Sequence, residues 1–72
     1  MKLIEIFKTD VFDKTAARML VRSLKQEFPR SKINFDLEDG DKILRIESSK
    51  PIDTGLVAFS LGAKGYRADV LQ

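Results

Sequence analysis

The stretch K32-I-N-F-D-L-E-D-G-D-K-I-L-R-I-E47 decides the architecture. Its first seven residues alternate strictly: Ile33, Phe35 and Leu37 point one way, and Asn34, Asp36 and Glu38 the other. A period of two is the pattern of a half-buried β-strand. Asp39-Gly40 follows, and both residue types tolerate positive φ, so the pair signals a tight hairpin. Residues 42–47 then return as the partner strand, with Leu44 and Ile46 inward.

Working outward toward the N-terminus, residues 14 to about 28 carry Ala17, Leu20, Val21, Leu24 and Phe28 at i, i+3, i+4, i+7 and i+11. That spacing is one face of an α-helix. Asp13 suits its N-cap, and Pro29 stops it, because the residue before a proline avoids the helical region. Val11 or Phe12 is expected to pack beneath the helix as a hydrophobic staple. Residues 2–8, KLIEIFK, read as a first strand, with Ile4 and Ile6 expected in the core and Leu3, Glu5 and Phe7 on the opposite side.

Toward the C-terminus, residues 48–51 form a loop, a second helix runs over about 52–63, and Gly65 suits its end. Residues 66–71 make a short last strand with Tyr66, Ala68 and Val70 on one face. The order is β-α-β-β-α-β in a single domain over 1–72. It predicts an α+β, ferredoxin-like sandwich: a four-stranded antiparallel sheet with two helices on one face, and the first and third strands in the middle.

Composition narrows the function. The 72 residues include no cysteine and no histidine, so neither a disulfide nor a zinc site of the usual ligands can staple the fold. A chain this short buries about 60% of its unfolded surface, so its core must be well packed. It is 43% apolar and 33% charged, with a net charge of +2. The longest apolar run, residues 56–59, is far too short for a membrane span, and residues 1–8 interrupt their apolar run with a charge, unlike a secretory signal. A cytoplasmic protein making no membrane contact is the expectation.

On helix one, the arrangement with its following Phe28-Pro29, the extended KINFDLEDGDKILRIE and the closing Gly65-Tyr66 resembles the heavy-metal-associated domains, small carriers of copper and mercury. The resemblance covers almost the whole chain. It implies a metal loop of Met-x-Cys-x-x-Cys type at the start of helix one, whose two cysteine positions fall on Asp13 and Ala16, with Val11 near the methionine. Alanine ligates nothing, and aspartate is a hard oxygen donor with little preference for Cu(I). The implied fold therefore stands without the implied metal site, and no cofactor is expected.

Asp36, Glu38, Asp39 and Asp41 suggest calcium, but with Gly40 as the loop glycine the first ligand position falls on Phe35. Enzyme chemistry lacks a general base or thiol, and the serines have no partner at a telling spacing, so no catalytic residue is expected. Acylphosphatases share the topology but need an arginine in the loop after strand one, where TDVFDK has none. RNA-recognition domains also share it and stack bases on two or three aromatics. Here Phe7 is the one aromatic expected on the open sheet face, beside Leu3, Ile43 and Leu71 and among acids.

Two surfaces stand out as candidates. Lys14, Arg18, Arg22 and Lys25 form a basic stripe on helix one, continued by Arg30 and Lys32. Helix two has two apolar faces, Val57, Ala58 and Leu61 on one and Ile52, Leu56, Phe59 and Ala63 on the other. One sheet and one neighbouring helix cannot cover both. The sequence thus predicts a protein-interaction module, self-association included, using Ile52, Leu56 and Phe59, with the basic stripe orienting the contact. The alternative is a nucleic-acid or anionic-ligand binder using Arg18, Arg22, Lys25 and Arg30. Residual metal handling through oxygen ligands comes third.

Overall fold

The computed structural model describes residues 2–38, 40 and 42–71. Six elements follow the predicted order: β1 (Leu3–Thr9), α1 (Lys14–Glu27), β2 (Lys32–Asp36), β3 (Ile43–Ser48), α2 (Thr54–Ala63) and β4 (Ala68–Val70). The strands form one antiparallel sheet in the order β2-β3-β1-β4. This is the ferredoxin-like α+β fold, with β1 and β3 central and β2 and β4 at the edges. The residue Asp39 of the expected hairpin turn lies outside the described residues, as does Asp41.

Local chemistry accounts for the helix ends. The Asp13 carboxylate accepts from the Thr15 N–H at 3.1 Å and caps α1. At the other end the chain turns at Pro29: the Ser31 hydroxyl donates to the Phe28 carbonyl at 2.6 Å, and Lys25 Nζ donates to the Ser31 carbonyl at 2.6 Å. Asp53 caps α2 by accepting from the Leu56 N–H at 3.1 Å. Gly65 takes φ +89° just past α2, where its N–H bonds the Gly62 carbonyl and the Tyr66 N–H bonds the Leu61 carbonyl. That pair of bonds is a Schellman motif, which needs a residue comfortable in the left-handed region.

The core lies between the helices and one face of the sheet. Phe7, Val11, Leu20, Leu24, Leu44, Ile46, Val57 and Leu61 are its largest fully buried side chains. Val11 is fully buried in the core, while Phe12, the residue directly before the cap, remains 77% exposed. Ile33, Phe35, Leu44, Ile46, Ala68 and Val70 face the core as the alternation predicts.

Strand β1 runs in the opposite phase to the expected one. Its register pairs Phe7 with Leu44 and Val70, which puts Phe7 at the centre of the core with no exposed surface. Leu3, Glu5, Phe7 and Thr9 therefore face the helices, and Ile4, at 44% exposure, lies on the open face with Ile6 and Lys8. The physical reason lies at the strand's end. The other phase would bury Lys8 beneath the helices, and an unpaired buried ammonium is far costlier than a half-buried glutamate near the edge of the core. Thr9 takes the inward place with its hydroxyl satisfied, donating to the Lys42 carbonyl at 2.6 Å and accepting from the Val11 N–H at 3.2 Å.

Candidate interaction surfaces

Helix α2 buries Val57 and Leu61 and makes a polar contact with α1. Ser60 is buried, and its hydroxyl lies 2.8 and 2.7 Å from the two carboxylate oxygens of Glu27 on α1. With Ser60 turned to α1 and with Val57 and Leu61 in the core, 100° per residue carries Phe59 outward. Phe59 is 72% exposed and Leu56 41%. Ile52, the third residue of the predicted patch, precedes the helix and is half-buried against the core. The outer surface is therefore Leu56 and Phe59, with Ile52 only at its margin.

The predicted basic stripe divides. Lys14, Arg18 and Arg22 line a groove of about 640 Å³ between α1 and the edge strand β2. Its apolar lining is Ala17, Val21, Ile33, Phe35 and Leu37, and Asp36 and Glu38 contribute acid from the β2 side. Lys25 is engaged with the Ser31 carbonyl, and Arg30 lies exposed in the turn before β2; neither lines the groove.

On the open sheet face the reversed phase of β1 changes the expected composition. Ile4, Ile6, Ile43 and Leu71 form its apolar part, and Leu3 and Phe7 are absent from it. Among the described residues that face carries no aromatic side chain, so a base-stacking platform of the RNA-recognition kind is not built. Glu47 sits there 3.7 Å from Lys2 and 3.9 Å from Arg45.

Compared with protein families, curated proteins and solved structures, the chain matches none.

Asp13 and Ala16, the positions implied for a soft-metal loop, lie at the start of α1, where Asp13 serves as the cap. Among the described residues no three carboxylates converge on a point that could hold an ion. The acidic hairpin includes Asp39 and Asp41, outside the described residues. No described helix is long and apolar enough to cross a membrane. Sequence reasoning offered Phe12 only as a staple and missed Met19; both are largely exposed. A signal existed for Met19, which lies 200° around α1 from Ala17 and so opposite the buried stripe.

Proposed function

We propose that this chain is a non-catalytic cytoplasmic interaction module, similar in arrangement to heavy-metal-associated domains but without their cysteines, that docks a protein partner through the outer face of α2. The observation that carries the reading is Phe59, a large apolar side chain held at 72% exposure on a helix whose opposite face is already buried. Its neighbour Leu56 extends the apolar surface. A rigid aromatic offered to solvent beside an aliphatic residue has the composition of an interface anchor. Burial of Val57 and Leu61, with Ser60 donating to Glu27, leaves that anchor on the outer side.

The test is a comparison of wild-type chain with Phe59→Asp in partner capture, followed by chemical-shift mapping on this chain as the captured partner is added. Expected is loss of capture in the variant and shifts centred on Leu56 and Phe59. Shifts confined to a distant surface overturn the reading.

A second reading, an anionic-ligand or nucleic-acid site, draws support from Lys14, Arg18 and Arg22 on one groove wall. Asp36 and Glu38 at the same groove oppose it, since carboxylates repel phosphates. Titration with single-stranded and duplex oligonucleotides at two salt concentrations discriminates, because phosphate contacts must weaken as salt rises.

A further inference from the structure

The edge strand β2 carries a charge pattern of its own. Hydrogen-bond directions can be assigned along the sheet. The Leu71 N–H donates to the Ile6 carbonyl, so Ile6 directs its backbone groups at β4. In an antiparallel ladder successive residues alternate sides, so Glu5 and Phe7 direct theirs at β3. The Thr9 N–H bonding the Lys42 carbonyl agrees. Leu44 and Ile46, opposite Phe7 and Glu5, then face β1, and Arg45 faces β2, where it pairs with Asn34. It follows that Ile33 and Phe35 turn their N–H and C=O groups away from the sheet, at its free edge.

We propose that this edge pairs antiparallel with the β2 edge of a second copy of the chain, about a two-fold axis at Asn34. In that register Ile33 of each copy lies opposite Phe35 of the other, and the outward N–H and C=O groups of both residues make four backbone hydrogen bonds. On the open face, Lys32 of each copy lies opposite Asp36 of the other, and Asn34 meets its own mate. Beyond the strand, the two-fold brings Arg30 of each copy toward Glu38 of the other. The segment RSKINFDLE, residues 30–38, is thus complementary in charge to itself read backwards. An isologous interface requires that property, since each position must suit its two-fold counterpart.

Neighbouring registers are worse. Moving the axis to Ile33 needs the Ser31 N–H, which already donates to the Phe28 carbonyl. Moving it to Phe35 leaves Asp36 opposite Asn34. Parallel pairing brings like charges together. The α1 groove opens beside the same edge, and the partner's Ile33 and Phe35 side chains extend its apolar floor. Lys14, Arg18 and Arg22 of the two copies then approach one another, and their long stems let the charged ends swing to solvent. Their repulsion makes the dimer weak, and it responds to salt in the opposite sense to the strand pairs. The test therefore exchanges charges at constant salt. This surface is separate from α2, so the dimer stands whether or not Phe59 docks a partner.

In the wild-type chain, raising the concentration from micromolar to millimolar should slow amide exchange at Ile33 and Phe35 and leave Asn34 unchanged. Sedimentation over the same range should report a dimer. Lys32→Asp leaves two acids facing two acids across the axis, and Asp36→Lys leaves lysines facing lysines. Each variant alone should associate at least about tenfold more weakly. Mixed in equal amounts, the two should recover wild-type association, because acids on one copy then meet lysines on the other. Phe59→Asp should leave all of this unchanged. A wild-type monomer at millimolar concentration overturns the proposal, as does a mixture no tighter than its components. Concentration-dependent protection at other amides, with none at Ile33 and Phe35, overturns it equally, and that readout needs no variant to fold.

Discussion

Replacing Phe7 by leucine tests the reversed phase of β1, on which the description of both sheet faces depends. Phe7 is fully buried between Leu44 and Val70 of the flanking strands. Leucine removes three carbons, and at about 0.8 kcal/mol per buried carbon the transfer loss is about 2 kcal/mol. A residual cavity adds to that, and alanine would cost about 3–5 kcal/mol. A domain of 72 residues has about 4–11 kcal/mol in all, so the leucine variant is the measurable one. Ile4→Ala is the control: Ile4 is nearly half exposed on the open face, so its truncation should cost under about 1 kcal/mol. Urea unfolding followed by far-ultraviolet circular dichroism reads both. With a slope of about 1 kcal/mol per molar, Phe7→Leu should lower the midpoint by about 2 M and Ile4→Ala by less than about 1 M. A larger loss from Ile4→Ala than from Phe7→Leu would mean that Ile4 and Ile6 face the helices, and the structure of both faces would be wrong.

Other variants probe single contacts. Thr9→Val keeps the shape but leaves the Val11 N–H without its hydroxyl acceptor and the Lys42 carbonyl without one donor, so it should cost about 1–3 kcal/mol in the same urea assay. Asp13→Ala removes the α1 cap and should cost about 1 kcal/mol, whereas Asp13→Asn should be nearly neutral; equal losses from both would show that capping is not the residue's role. Gly65→Ala places a Cβ at φ +89° and should lower stability by about 1 kcal/mol or more, although open space surrounds the position, and an unchanged midpoint would contradict the left-handed turn. Ser60→Ala should cost about 1 kcal/mol and loosen α2, read as faster amide exchange along that helix.

The reversed phase of β1 has its cause in the sequence itself. In residues 3–7 Ile4 and Ile6 alternate with Leu3, Glu5 and Phe7, two largely apolar sets in which the one polar residue, Glu5, sits in the set that is in fact buried. A period of two then marks a strand without marking its inner face. In the neighbouring β2, by contrast, Asn34 and Asp36 alternate with Ile33 and Phe35, and the inward side is legible without coordinates. Helix α2 repeats the ambiguity at helical period, since Val57 with Leu61 and Leu56 with Phe59 are comparable apolar candidates for the core. Ile52 reads as part of the outer patch only if the helix begins at residue 52, two residues before its start at Thr54. The candidate groove was half legible: the cations of α1 are a visible stripe, but their meeting with the edge of β2 depends on strand order.

By itself the sequence determined the element order, the helix ends at Asp13, Pro29 and Gly65, the inward sides of α1, β2 and β3, and the lack of thiol and imidazole chemistry. These follow from local rules of backbone conformation and from contrast between polar and apolar neighbours. Tertiary structure alone decided which side of β1 and which side of α2 is buried. Where both sides are greasy, the choice passes to distant partners: Lys8 must stay out from under the helices, and Val57 and Leu61 fill the core while Ser60 meets Glu27. Those choices leave Phe59 on one flank, and strand order puts the charge-patterned β2 at the sheet edge on the other.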